Sequence, residues 1–147
     1  KMDINQMKKS LTFLLSLTFL FLFSGSVYGD DYQDGVDAYK RKDYKTAYKL
    51  WLPLAEQGDA DAQFNLGQMY SNGLGVLQDF KEAAKWYRLS AEQGDAIAQC
   101  NLGGMYNEGK GVPHDYKEAV KWWKLAAGQH DEQAQFILER MHGNSSN

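Results

Sequence analysis

Apolar residues recur along the chain at the spacing of amphipathic helices. One stripe, with members at i, i+4, i+7 and i+8, comprises Ala62, Leu66, Met69 and Tyr70. A second stripe comprises Phe80, Ala83, Ala84, Tyr87 and Ala91. Both spacings place the apolar side chains on one face of a helix, and no stretch alternates convincingly as a strand. The pattern therefore predicts an all-α protein made of paired antiparallel helices.

The same pattern returns after 36 residues. The sequence AQFNLG at 62–67 recurs as AQCNLG at 98–103, and DFKEA at 79–83 recurs as DYKEA at 115–119. A single helix pair cannot bury its apolar stripe alone, so such repeats stack side by side into an elongated array. The internal repeat therefore predicts a helical solenoid.

Helix ends are marked by residues that cap or interrupt helices. Asp79 suits an N-cap, and Glu82 three residues later completes the pattern of a capping box, which Asp115 and Glu118 repeat. Two glycines fall where helices must stop, each followed by an Asp that can cap the next helix: Gly58-Asp59 and Gly94-Asp95.

Two further glycines, Gly67 and Gly103, fall inside predicted helices. Glycine there costs about 1 kcal/mol relative to alanine. A glycine repeated at such a position indicates close backbone approach between paired helices.

These motifs resemble the Sel1-like repeat, a relative of the tetratricopeptide repeat with a longer loop between its two helices. The resemblance rests on Ala-Gln-x-Asn-Leu-Gly-x-Met-Tyr-x-x-Gly-x-Gly-Val followed by Asp-x-Lys-Glu-Ala-x-Lys-Trp, and covers about residues 31–142. It implies an α-solenoid of right-handed superhelical twist with about seven helices. The Ala-Gln-x-Asn-Leu-Gly helices would then line the concave side.

The phase of the repeats divides the predicted array, residues 30–142, into four parts. Gly35 precedes Asp43 by 8 residues, whereas Gly67 precedes Asp79 by 12, so the first unit has a shorter, tetratricopeptide-like loop. The parts are a tetratricopeptide-like unit at 31–57, Sel1-like units at 59–93 and 95–129, and a capping helix at 131–142. In the capping helix Glu139 replaces the repeated glycine, as expected of a helix with no successor. Residues 143–147 form a polar tail.

The N-terminal residues 1–29 have the pattern of a signal peptide. Lys8 and Lys9 precede an apolar run at residues 11–23, which is too short to span a bilayer, and small residues lead to a cleavage site near Gly29–Asp30. The pattern predicts export to the periplasm or the medium, with no membrane contact after cleavage. The alternative is an uncleaved membrane anchor.

Charge and cysteine content narrow the possible partners and chemistry. The net charge is −3, and because residues 1–29 hold three Lys and one Asp, the remaining chain carries about −5, which argues against a nucleic-acid partner. Cys100 is the only cysteine, so no disulfide framework is possible, and a small buried hydrophobe is favoured over a reactive thiol. The histidines share no ligand spacing, so neither metal nor cofactor is predicted.

Lysines recur on one side of the second helix of each unit: Lys45, Lys81 and Lys117, with Lys49, Lys85 and Lys121. They could meet an acidic partner. A solvated face is favoured, because Glu82 and Glu118 lie nearby.

The candidate binding site follows from the resemblance. In tetratricopeptide-like proteins the asparagine that matches Asn65 and Asn101 often hydrogen-bonds the backbone of a bound peptide. The alternative is an asparagine bonded within its own repeat. The predicted concave binding surface comprises Phe64, Asn65, Gln68, Asn72, Ile97, Asn101 and Asn107, with Gly104 beside them.

The sequence therefore predicts an exported adaptor that binds a peptide or protein, with its oligomeric state open. One alternative is a hydrolase acting on β-lactam or cell-wall material, as assigned to cysteine-rich exported Sel1-like proteins. Those relatives have paired cysteines, and this chain shows no nucleophile with an adjacent base. Another alternative is a structural subunit of an envelope complex. No enzymatic activity is predicted.

Overall fold

The computed structural model describes residues 30–143, with side chains as far as Met141. In this range all regular structure is helical, as the sequence predicted. The helices are α1 (30–40), α2 (Tyr44–Glu56), α3 (Ala60–Asn72), α4 (Phe80–Glu92), α5 (Ala96–Glu108), α6 (Tyr116–Gly128) and α7 (Glu132–Gly143). The predicted signal peptide and residues 144–147 lie outside the described residues. None of the helices described is long and apolar enough to cross a bilayer.

Each helix from α2 to α6 packs on the helix that follows it, so the core runs along the array. Three clusters of buried apolar residues succeed one another, centred on Trp51 and Leu66, on Tyr87 and Leu102, and on Trp123 with neighbours from α7. Because each cluster is shared between successive units, no unit has a core of its own. This is the quasi-linear arrangement that the repeat predicted.

The structure confirms the predicted N-cap aspartates. Of the predicted capping box, only the bonds accepted by the N-cap side chain form, and the bond back from the glutamate does not. Asp79 Oδ1 accepts from the N–H groups of Lys81 at 2.8 Å and Glu82 at 3.1 Å. Glu82 does not reach back to the Asp79 N–H, because its carboxylate pairs with Lys85 at 3.3 Å. The Asp79 N–H instead donates to the carbonyl of Tyr70 at 3.0 Å, since the long loop folds back on α3. The start of α6 repeats this arrangement.

Buried glutamines at the start of α3 and α5 bond both the preceding unit and the far end of their own unit. Gln63 is buried, and its Nε2 donates to the carbonyl of Ala55, in the preceding unit, at 3.0 Å. Its Oε1 accepts from Nε2 of Gln93, at the end of the same unit, at 2.8 Å. Gln99 and Gln129 form the same contact at 2.9 Å. Because a buried amide left unpaired costs about 1–3 kcal/mol, the bond to Ala55 helps to fix the register between units, and the glutamine pair closes each unit.

The repeated helical glycines lie against aromatic rings of the following helix, as the sequence indicated. A Cβ atom at Gly67 would lie 2.6 Å from the ring of Tyr87, and one at Gly103 would lie 2.6 Å from the ring of Trp123. Gly35 of α1 meets Trp51 in the same way. The absence of a side chain therefore sets the distance between the two helices of each pair.

Adjacent glycines in α5 offer a matched test of this contact. Replacing Gly103 by alanine should lower the free energy of unfolding by about 1–3 kcal/mol, because the new methyl group overpacks against Trp123. Replacing Gly104 by alanine should raise the free energy of unfolding by about 0.5–1 kcal/mol. No atom of another element lies within 4 Å of a Cβ placed there, and alanine favours the helix. Urea unfolding followed by circular dichroism measures both, and equal effects of the two changes would contradict the contact.

Candidate functional site

A groove of about 450 Å³ runs across α5, and we call it the central groove. Its walls come from five helices and the loop after α5. The lining residues are Ser71, Phe80, Tyr87, Cys100, Asn101, Gly104, Met105, Asn107, Glu108, Lys110, Trp123, Gln133 and Ile137. Helices α3, α5 and α7, which begin the second, third and fourth predicted parts, all contribute residues to the lining. The helices that the resemblance placed on the concave side thus supply part of the groove, and α4 and α6 supply the rest.

Asn101 stands in the middle of the groove wall, half-buried on α5. Its side chain hydrogen-bonds the Tyr87 hydroxyl, which also interacts with Ser71. Burial raises the pKa of Tyr87 to about 12, and these two hydrogen bonds oppose the rise only in part. The hydroxyl therefore remains protonated at neutral pH, and the three side chains form a neutral polar cluster in the wall.

Asn65, the equivalent residue one unit earlier, has a different environment. Its Nδ2 donates to the hydroxyl of Tyr32 on α1 at 3.2 Å. Tyr32 lies three residues before Gly35. In the next unit the equivalent residue, three positions before Gly67, is Phe64. Because a phenylalanine has no hydroxyl, Asn101 has no equivalent bond to make. The two asparagines that look alike in sequence therefore differ in what holds them.

Of the predicted concave residues, the structure brings Asn101 and Asn107 to the central groove, together with Gly104. The others lie outside its lining. Phe64 packs on Tyr87 with ring centroids 5.9 Å apart, and Ile97 is 54% exposed on α5. On α3, the carbonyl of Gln68 accepts from Nδ2 of Asn72 at 2.9 Å.

Several lining residues were missed by the sequence reasoning because they lie on other helices. Tyr87, Trp123 and Ile137 come from α4, α6 and α7. One signal was present in the sequence: Tyr87 stands where the other units have Trp51 and Trp123. This departure from the repeated tryptophan singles out Tyr87.

A second hollow of about 310 Å³, which we call the terminal recess, lies beside α6 and α7. Its lining is mostly apolar and comprises Asn107, Tyr116, Trp123, Phe136, Ile137, Arg140 and Met141. Three of these residues, Asn107, Trp123 and Ile137, also line the central groove. The two hollows are therefore adjacent.

Cys100 is buried, with 3% of its surface exposed, as the sequence analysis favoured. Burial raises the pKa of its thiol to about 12, and the carboxylate of Asp131 adds to the rise. The thiol is therefore protonated at neutral pH and is a poor nucleophile. Among the described side chains, no group of three or more His, Cys, Asp and Glu is arranged to hold a metal ion.

Comparison with known protein families agrees with the fold. The model of the Sel1 repeat matches residues 28–59, 60–95 and 96–131. The chain belongs to the Sel1 repeat family, whose members are generally protein-interaction scaffolds and typically not enzymes. The resemblance drawn from the motifs is thereby confirmed. No curated protein matches the chain.

Solved structures of related proteins show the same architecture. A Sel1 repeat protein from Oxalobacter formigenes is 38% identical, with a TM-score of 0.69 over 72% of this chain and 44% of that one. A protective antigen of uropathogenic Escherichia coli with an SLR fold is 33% identical, with a TM-score of 0.72 over 92% of this chain and 27% of that one. Helicobacter pylori cysteine rich protein B, 23% identical with a TM-score of 0.61 over 75% and 93%, shares the fold. The chain spans less than half the length of the first two.

The environment of Cys100 predicts how its thiol reacts. In the native protein at pH 8 we expect reaction with Ellman's reagent to be at least about a hundredfold slower than in denaturant, because the thiolate is scarce and buried. Equal reaction rates in native and denatured protein would contradict the assignment.

The raised pKa of the Cys100 thiol also predicts how stability changes with pH. Since the native pKa is raised, the bound proton stabilises the fold below the pKa of the unfolded chain. This stabilisation is lost as the pH rises from about 9 towards 12. Cys100→Ala should therefore lessen the alkaline loss of stability.

Proposed function

We propose that this protein is an exported adaptor that binds an extended segment of a protein partner in the central groove. The observation that carries the proposal is the lining of the groove. Apolar side chains, among them Met105, Trp123 and Ile137, line it together with the side-chain amides of Asn101 and Asn107. Apolar walls with a few convergent hydrogen-bonding groups are typical of sites that take a peptide, whose side chains and backbone need both.

Asn101 is the residue that we expect to hold the peptide backbone. A side-chain amide offers two donor hydrogens and an acceptor, so its bond to Tyr87 leaves capacity for a backbone N–H or C=O group. Asn65 already donates to Tyr32 and lies outside the groove. The proposed contact is therefore assigned to Asn101 and not to the pair of asparagines.

The charges of the groove favour recognition through backbone and apolar side chains. Glu108 and Lys110 are the charged residues of the lining, and their side chains pair at 2.6 Å. Each charge is thus neutralised by the other. A partner segment of mixed apolar and uncharged polar residues fits this surface better than a strongly charged one.

Export is proposed from residues 1–29, where two lysines precede a short apolar run and small residues. The similar Escherichia coli protein is described as a protective antigen. The hydrolase alternative gains no support from Cys100, because its thiol is buried and protonated.

The groove assignment is tested with a peptide selected from a random phage library on the wild-type protein. Replacing Asn101 by alanine should weaken binding of the synthetic peptide about tenfold, since one hydrogen bond contributes about 1–1.5 kcal/mol. Gly104→Leu should abolish binding, because the new side chain projects into open space in the groove. Fluorescence polarisation measures the dissociation constants.

Asn65→Ala is the matched control for this experiment. It removes the same amide from the equivalent position of the preceding unit, and we expect the dissociation constant to stay within about twofold of the wild type. Circular dichroism checks that all three variants keep their helices. Peptide binding that is insensitive to both Asn101→Ala and Gly104→Leu would refute the site.

The cell fraction and the first residue of the accumulated protein test the export proposal. In a bacterial host we expect the protein to accumulate in the periplasmic or secreted fraction with Asp30 as its first residue. Mass spectrometry of the intact protein measures this directly. Retention of residues 1–29 in a membrane fraction would favour the uncleaved anchor instead.

A further inference from the structure

Gly104 lies inside α5 at a place where the fold does not need a glycine. A glycine within a helix costs about 1 kcal/mol relative to alanine. Gly35, Gly67 and Gly103 offset this cost through the ring that each admits from the following helix. Gly104 admits no such ring, since no atom of another element lies within 4 Å of a Cβ placed there. The equivalent residue one unit earlier is Gln68, so the repeat does not require a glycine at this position either.

Gly104 is instead the middle of the floor of the central groove. On a helix, the residues three and four positions away surround a given side chain. For Gly104 these residues are Cys100, Asn101, Asn107 and Glu108, and all four line the groove. The missing side chain therefore leaves a pit at the centre of a groove of about 450 Å³, and helix backbone forms the base of this pit.

The contacts between glycines and rings inside the protein show what such a pit accepts. The indole of Trp123 lies on Gly103, and its N–H donates to the carbonyl of Cys100 at 3.2 Å. Trp51 and Gly35 form the same two contacts, again with the carbonyl three residues before the glycine and again at 3.2 Å. A helical glycine with open space above it thus holds both the ring and the N–H of a tryptophan.

Gly104 presents the same backbone surface as Gly103, turned to face the groove. Successive residues of a helix are related by a rotation of about 100° and a rise of about 1.5 Å. The carbonyl three residues before Gly104 is that of Asn101. A carbonyl oxygen has two lone pairs, so it can accept from an indole N–H as well as from its own helical donor. An indole lying on Gly104 therefore has an acceptor in the same relative position as the indole on Gly103.

The surroundings of the pit suit an uncharged aromatic ring with one hydrogen-bond donor. Phe80 and Ile137 line the groove from α4 and α7 and offer apolar contact to an inserted ring. The charges of Glu108 and Lys110 neutralise each other through their pairing at 2.6 Å. Among aromatic side chains, tryptophan has the largest ring and an N–H that only donates, as the Asn101 carbonyl requires.

We propose that the pit over Gly104 receives a tryptophan side chain of the bound segment, with the indole on the glycine and its N–H directed to the carbonyl of Asn101. The inference rests on the proposed function, because it names the side chain by which the partner segment is anchored. Gly104 is then the residue that sets specificity, since any side chain at this position occupies the space of the ring.

Replacing Gly104 by alanine separates binding from folding. Alanine should weaken binding of a peptide selected on the wild-type protein at least about tenfold, because the new Cβ lies where the ring must lie. The same variant should be more stable than the wild type, so the loss cannot come from unfolding. Gly128→Ala is the matched control. Gly128 ends α6, also has no atom within 4 Å of a placed Cβ and lies outside the groove lining, so the dissociation constant should stay within about twofold.

Changes in the peptide test the anchor from the other side. Peptides selected on the wild-type protein should share a tryptophan, and its replacement by leucine should weaken binding at least about tenfold. Methylation of its indole nitrogen should weaken binding about fivefold, because the bond to the carbonyl is lost. Fluorescence polarisation measures these dissociation constants.

N-acetyl-tryptophanamide tests the pit without any peptide. In isotope-labelled protein in the form in which cells accumulate it, we expect this probe to shift the backbone amide signals of Gly104 and its helical neighbours, with saturation in the millimolar range. The Gly104→Ala variant should show no such shifts, and neither should the wild type with N-acetyl-leucinamide. Absence of these shifts in the wild type would overturn the pit.

The outcomes distinguish the anchor from the groove itself. Selected peptides that lack tryptophan, or that bind Gly104→Ala as tightly as the wild type, would overturn the anchor while a dependence on Asn101 still supported the groove. Binding that is insensitive to both Asn101→Ala and Gly104→Leu would instead overturn the proposed function and the anchor together.

Discussion

The contact between a helical glycine and an aromatic ring sets the geometry of every helix pair. Gly35, Gly67 and Gly103 each admit a ring from the next helix at a distance that no Cβ atom would allow. In the first and third units the indole N–H also donates to a backbone carbonyl, at 3.2 Å in both cases. Because the close approach brings the apolar stripes together, the clusters shared between units depend on it. Gln63 and Gln99 then hold the register from one unit to the next through the carbonyls of Ala55 and Ala91.

The middle unit shows how a packing position can also shape a binding surface. Tyr87 fills the same place as Trp51 and Trp123, and its ring still covers the glycine. Its hydroxyl, a donor and acceptor at the far end of the ring, interacts with Ser71 and Asn101. The substitution therefore places a neutral polar cluster in the wall of the central groove. Packing and binding are linked through one residue.

The same constraint explains the surface of the last helix. Within each pair, the residue three positions before the glycine packs beside the ring of the following helix, as Phe64 does on Tyr87. In α7 the glycine is replaced by Glu139, and Phe136 keeps its ring without such a neighbour. Among the described residues, α7 therefore lacks the contact between a glycine and a ring that the preceding pairs share.

Much of the fold was predictable because the physics that determines it is local. The 3.6-residue periodicity, the aspartate caps and the repeated glycines each act within a few residues, so they can be read along the chain. The helices and their order followed from these signals, whereas the Sel1 repeat came from the resemblance of the repeated motifs to a known family. The N-cap of Asp79 was predictable for the same reason. The pairing of Glu82 was not, because the carbonyl of Tyr70 reaches the Asp79 N–H only through the folded loop.

The sequence by itself thus determined the helices, their repeat and the closeness of each pair. Only the tertiary structure decided which residues share the groove, because its walls come from five helices that are distant along the chain. It also distinguished Asn101 from Asn65, since that difference lies in whether the facing residue, Tyr32 or Phe64, carries a hydroxyl. Equivalent positions in a repeat have the same backbone but different neighbours, and side-chain neighbours determine what each residue can bind.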